Sequence, residues 1–198
     1  MLRNYPPLPF MALPHGTSYA QPTQPALEHV ALDSPASDAM TDLTRVAAVI
    51  VLAGDPVDEA HRRMIQRGVR LLLVVDQDRK VMGVITADDV MGEGPVQMAV
   101  QQGIHRDAVL VRDVMSPCAS LQVLSYEQVR TAKVGHIVTT LKHAGRQHVL
   151  VVDQNGKTGI RLRGIFSTTQ IFRQLGINVQ TIGIANTFAE IEAQLSHK

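Results

Sequence analysis

The chain has 198 residues, 45% of them apolar, and a net charge of +1. That length accommodates one domain or two small ones with a buried core, and the balanced charge removes the general electrostatic reason to expect nucleic acid or an anionic membrane as partner. The single cysteine, Cys118, excludes an intrachain disulfide and fits a reducing compartment, while the longest unbroken apolar run, Val46 to Ala53, is far short of the ~20 residues a membrane helix needs.

The first 35 residues hold seven of the ten prolines and no sustained apolar period, so they are expected to be extended or disordered along the domain surface. Pro6, Pro7, Pro9 and Pro14 interrupt any signal-peptide core, and a cytoplasmic protein is expected. From Ser37, Asp38-Ala39-Met40 precedes a short apolar strand at Val46 to Leu52. Asp55-Pro56 then opens a helix with Val57, Ala60 and Met64 on one face and Gly68 as its C-terminal cap. Leu71 to Val75 is continuously apolar, as in a strand covered on both faces. A polar turn joins it to the strand Val81 to Ile85, and a helix starts at Thr86 or Ala87. Pro95 and Gly103 bracket a short helix within a linker.

The pattern then restarts. Asp113-Val114-Met115 echoes Asp38-Ala39-Met40, Leu121 to Leu124 supplies a strand, and Val134, Ile137, Val138 and Leu141 form an apolar helical stripe ending before Gly145. Val149-Leu150-Val151-Val152-Asp153-Gln154 repeats the Val-Val-Asp-Gln core of Val74 to Gln77, and aligning Asp76 with Asp153 also aligns Gly68 with Gly145 without a gap. The second hairpin carries an insertion with an Asn155-Gly156 turn signal, and Gly164 to Gln170 repeats Gly83 to Asp89. In the tail, Thr187 and Glu190 form a capping box ahead of Phe188, Ile191 and Leu195. The expected organisation is a proline-rich segment at 1–35, a repeat at 36–92, a linker at 93–110, a second repeat at 111–176, and a tail with an amphipathic helix at 177–198. Each repeat reads β-α-β-β-α, an α/β unit too small to be comfortable alone, so the two should pack together with pseudo-twofold symmetry.

The apolar strand ending in Val-Val-Asp and the turn, both present twice, with Gly-x-x-Thr-x-x-Asp at Gly83, Thr86 and Asp89 in the first copy, resemble the cystathionine beta-synthase (CBS) domain in a tandem pair of the Bateman type. The resemblance covers roughly Ser37 to Gly176. It implies a stand-alone regulatory module that binds an adenosine-containing ligand, of the AMP, ADP, ATP or S-adenosylmethionine type, between the repeats, forms a homodimer, and signals to an effector protein. The sequence has no Gly-x-x-x-x-Gly-Lys loop and no Gly-x-Ser-x-Gly elbow, so no catalysis and no catalytic cofactor are expected, and its short apolar runs give no membrane partner. The alternatives are a ligand-free dimerisation or scaffold module and a nucleic-acid-binding regulator using the basic second repeat, against which the low net charge and few aromatics argue.

At Thr86 and Asp89 two chemistries compete. A carboxylate accepts charge-assisted hydrogen bonds from two adjacent ribose hydroxyls, yet Thr-x-x-Asp at a strand-to-helix junction is also a capping box. In the second repeat Ser167 and Gln170 take these places, so capping is expected to persist while the carboxylate is lost, leaving one good adenosine site and one degenerate site. Val84 joins the ligand-binding set, and the resemblance points to Arg70, Arg146 and His148 for phosphates.

Other chemistry is sparse. His61, His136, His143 and His148 match no metal-ligand spacing. Cys118 reads as a buried, inert thiol. Lys142, Arg146, Lys157, Arg161, Arg163 and Arg173 face only Asp153 over their stretch and read as an exposed charged surface.

Overall fold

The computed structural model describes residues 29–155 and 159–177. The first 28 residues, the Asn155-Gly156 turn and the Thr187 capping box with its apolar stripe lie outside the described residues.

The first half begins with a 3-10 turn, Ala36–Ala39, and a two-residue strand β1 (Thr41–Asp42), followed by β2 (Ile50–Leu52), α1 (Val57–Arg67), β3 (Leu71–Val75), β4 (Val81–Thr86), α2 (Ala87–Met91) and α3 (Gly94–Gln102). The second half runs α4 (Val111–Val114), β5 (Ser116–Pro117), β6 (Val123–Ser125), α5 (Tyr126–Thr131), α6 (Val134–Ala144), β7 (His148–Asn155), β8 (Gly159–Ser167) and α7 (Thr168–Gln174). Helix α1 has Asp58 and Glu59 in its first turn and Arg67 in its last, matching the helix dipole, and it buries Val57, Ala60 and Met64. Gly68 closes it at φ 63°, a left-handed conformation that costs glycine little. Gly103 and Gly145 do the same for α3 and α6.

Two four-stranded sheets result, ordered β1-β8-β7-β6 and β2-β3-β4-β5. Each contains three strands from one repeat and one short strand donated by the other. Thr41 and Asp42 pair antiparallel with Ile165 and Gly164, and Ser116 and Pro117 pair with Val84 and Gly83, so the two donations share one register. Both glycines are dictated by this approach. A Cβ on Gly83 would collide with the Ser116 carbonyl, and one on Gly164 with the Met40 side chain. The symmetry extends further. Val57 N–H donates to the Val109 carbonyl (3.0 Å) as Val134 N–H does to Ser34 (2.9 Å), and both hairpins shift register at the same place, Val74/Val75 and Val151/Val152.

The cores explain the apolar pattern. Leu72 and Val74 face α1, α2 and α3 in one cluster, whereas Leu71 and Leu73 face Val84 and Leu150 in a cluster shared between the two sheets. Strand β3 is therefore buried at all five positions. The donated segments cross over as well. Ala36, Ala39 and Met40 pack among Val134, Ile137, Val149 and Phe166 of the second repeat, while Val109 and Val111 pack among Val57, Leu72 and Ile85 of the first.

Several expectations are corrected. The strand expected at Val46 to Leu52 is confined to Ile50–Leu52, because only three residues find parallel partners on β3. The strand expected at Leu121 to Leu124 is Val123–Ser125, and α5, which buries Val129, follows it unforeseen. The short helix expected between Pro95 and Gly103 is present as α3, and it packs on the first repeat with Pro95 and Ala99 buried. The last residues of the proline-rich segment are tied down: Val30 N–H donates to Gln174 (3.0 Å) and Leu32 accepts from Gly135 N–H (2.9 Å). Cys118 is exposed, not buried, its thiol turned to the Val81 carbonyl at the outer edge of the β4/β5 pair. Arg163, read as exposed, is paired with Asp42 and stacks over Tyr126 at 4.6 Å from the ring centre. It locks donated strand β1 onto β8.

Candidate functional site

Strand β4 ends at Thr86, where the chain turns into α2. The Asp89 carboxylate folds back onto this turn, and its Oδ2 accepts from the Thr86 N–H and hydroxyl, each at 2.8 Å. Thr86 Oγ1 accepts in return from Asp89 N–H at 3.3 Å. The capping box is thus formed, and Asp89 Oδ1 is left without a protein partner among the described residues. Asp89 is half-buried, on the wall of a cleft of about 430 Å³ between the repeats.

Donated strand β5 lays Ser116 beside Val84 on the cleft floor, and the residues after it, Ser120, Leu121 and Gln122, form one wall. The opposite wall is the entry to β7, with Arg146, Gln147 and His148. The six residues anticipated for one ligand site, Arg70, Val84, Thr86, Asp89, Arg146 and His148, all line this one cleft. At its centre the Asp88 carboxylate accepts from the Arg70 guanidinium and from Gln147 Nε2, both at 3.0 Å. Arg70 and Gln147 occupy equivalent places in the two repeats, so Asp88 bridges one repeat to the other. His148 is held neutral, its pKa lowered to about 4, first by burial and then by the Arg70 charge, against a smaller opposing pull from Asp88. It offers an N–H to a phosphate but no positive charge at neutral pH, so charge comes from Arg70 and Arg146.

Residues 36–94 match the CBS domain family. Chains of the same fold include an uncharacterized conserved protein from Pyrococcus horikoshii (20% identity over 77% of this chain and 100% of that one, TM-score 0.53). The chain folds as a CBS-domain pair. CBSX2 from Arabidopsis thaliana, in complex with AMP, aligns at 21% identity over 71% of this chain and 94% of that one, TM-score 0.50. The CBS pair of protein MJ0100, in complex with 5′-methylthioadenosine and S-adenosyl-L-methionine, aligns at 19% identity over 72% and 96%, TM-score 0.50. No curated protein matches the sequence.

Within this CBS pair, Ser167 and Gln170 line the symmetry-related cleft of about 320 Å³. Its backbone frame is the same: Thr168 N–H donates to the Gln147 carbonyl as Ala87 N–H does to Arg70, both at 2.9 Å. The expectation that capping persists there is corrected. Ser167 makes no side-chain cap bond, and the reciprocal half of the box is lost too, since Gln170 reaches across to accept from the Thr41 hydroxyl (2.8 Å) on the donated strand and does not fold back. Sequence reasoning missed Asp88, Ser116, Ser120 to Gln122 and Gln147. Gln147 was open to discovery, since it aligns with Arg70, and Ser116 aligns with Thr41. Among the described residues, no group of three His, Cys, Asp or Glu is placed to hold a metal ion, and no helix is long and apolar enough to cross a membrane. His136 serves as a cap instead, accepting from Lys133 N–H at 2.9 Å.

Proposed function

We propose that this CBS pair is a regulatory module that binds an adenosine-containing ligand in the Thr86/Asp89 cleft and passes its occupancy to an effector protein. The observation that carries the reading is the meeting of a partly unsatisfied carboxylate, Asp89, with Arg70 and Arg146 in one cleft between the repeats. Its size falls within the roughly 300–1,000 Å³ of small-molecule sites. Asp89 Oδ1 takes the ribose hydroxyls, Val84 and Leu121 supply apolar contact for a base, and the arginines meet phosphate. The AMP bound to CBSX2 and the adenosyl compounds bound to MJ0100 place ligands of this chemistry in proteins of the same fold.

A route for signalling follows from Asp88. A phosphate that draws Arg70 away leaves Asp88 held only by Gln147 of the other repeat, which alters the contact between the repeats. The module acts as a homodimer, because Ile65 on α1, Met91 on α2, and Val96 and Val100 on α3 are exposed apolar side chains on three helices packed in sequence, with Val100 77% exposed. No catalytic step is assigned. Calorimetric titration with AMP, ATP and S-adenosylmethionine tests the reading; no saturable binding by any of them, with dimerisation intact, would favour a ligand-free scaffold instead.

A further inference from the structure

The second cleft differs from the first in kind, not merely in degree. Where the first presents Ser120, Leu121 and Gln122, the equivalent wall of the second is Ala47, Ala48 and Val49. Leu43 and Ile165 extend that apolar surface, and Val46 stands 55% exposed at its rim. The features that would seat a ribose are gone. Thr169 stands in place of Asp88, and Gln170, in place of Asp89, has its Oε1 occupied by Thr41. Among the described residues no carboxylate lines the cleft. Asp42, next in sequence to the lining residue Thr41, and Asp88 already hold Arg163 and Arg70. A cation has been added where the first repeat has Gly92: the exposed guanidinium of Arg173, which has no carboxylate partner among the described residues.

We propose that this second cleft is a binding site for a small molecule of a different class, an apolar body carrying one anionic group such as a carboxylate. The apolar body lies on Val46, Ala48, Val49 and Ile165, where burial removes exposed apolar surface from water. The anion meets Arg173 in a charge-assisted pair that no neighbouring carboxylate disputes. An uncharged molecule forgoes that pair, and a cation is repelled by Arg173 and Arg70. Arg70, Leu71 and His148 border both clefts, but the apolar wall of Ala47 to Val49 and the Arg173 guanidinium belong to the second alone.

The test is calorimetric titration of the full chain with octanoate, octanol and octylammonium, in the wild type and in Arg173→Gln, Val46→Glu and Asp89→Asn. Arg173 and Val46 are exposed, so neither change threatens the fold. Octanoate is expected to saturate one site per chain, with octanol weaker and octylammonium silent. Arg173→Gln is expected to weaken octanoate by about tenfold or more, Val46→Glu similarly, and Asp89→Asn not at all. Absence of saturable octanoate binding, equal binding of octylammonium, or unchanged octanoate affinity in Arg173→Gln would overturn the proposal. AMP titrations of the same proteins report the first cleft separately, so loss of AMP binding alone leaves this site standing.

Discussion

Replacing Asp89 by Asn separates the two roles its carboxylate can play. In the folded chain Oδ2 caps α2 through the Thr86 N–H and hydroxyl, and Oδ1 faces the cleft. Asparagine keeps one acceptor oxygen, which stays on the Thr86 N–H, so the cap survives at a cost of well under ~1 kcal/mol. The melting temperature should fall by no more than about 3 °C, given roughly 2–4 °C per kcal/mol for a domain of this size. The cleft then receives an amide NH₂, a donor, where ribose hydroxyls need an acceptor. Charge-assisted hydrogen bonds of about 1.5–3 kcal/mol are lost, so AMP or ATP affinity should drop about ten- to a hundredfold. Gln170→Ala is the internal control. It should leave AMP binding nearly unchanged while costing about 1 kcal/mol of stability through the lost Thr41 bond. Calorimetric titration and thermal melts of the three proteins suffice. Unchanged AMP affinity in Asp89→Asn together with a clear loss of melting temperature would refute the reasoning and leave Thr86 and Asp89 as a helix cap alone.

Arg70→Gln should weaken AMP by about tenfold while leaving adenosine unaffected, and equal losses for both in the same titrations would remove Arg70 from phosphate recognition. His148 is neutral when folded down to about pH 4 but protonates near 6.5 when unfolded. The unfolded chain therefore binds the extra proton, and stability falls as pH drops from 6.5 towards 4, by up to about 3 kcal/mol. Urea denaturation of His148→Leu, which installs the residue of the equivalent position Leu71, should flatten that limb, and an unchanged slope would contradict it. Burial raises the Asp42 carboxyl, but the Thr44 and Arg163 hydrogen bonds together outweigh this and hold it at about 2. Its contribution is full above its ordinary 3.8 and lost as pH falls towards 2. Asp42→Asn should accordingly cost about 2 kcal/mol at neutral pH and nothing near pH 2, read from the same denaturation curves. Val100→Asp should turn a dimer into a monomer in sedimentation velocity, and a monomeric wild type would sink the helix-face interface.

Much of the fold was legible because its determinants are local. Helical spacing at Val57, Ala60 and Met64, left-handed glycines at 68, 103 and 145, and the duplicated Val-Val-Asp strand each depend on neighbours a few residues away. The first cleft was legible for a different reason. The repeat places Val84, Thr86 and Asp89 at one strand end, and the family resemblance, not the duplication, points to Arg146 and His148 at the entry to β7.

What no local pattern carries is the exchange between repeats. Two-residue strands such as Thr41–Asp42 and Ser116–Pro117 have too few residues to show an alternating pattern, and their partners, Ile165 with Gly164 and Val84 with Gly83, lie far away in sequence. The same distance hides the charges. From sequence Arg163 reads as part of an exposed charged surface, yet Asp42, 121 positions away, claims it once the donated strand pairs with β8. By itself the sequence determined two α/β repeats and named six residues that line one cleft, since periodicity and duplication are written along the chain. Only the tertiary structure decided that each repeat completes the other's sheet, that His148 is neutral, and that Gln170 is spent on Thr41, because burial and pairing depend on which distant residues the fold brings into contact.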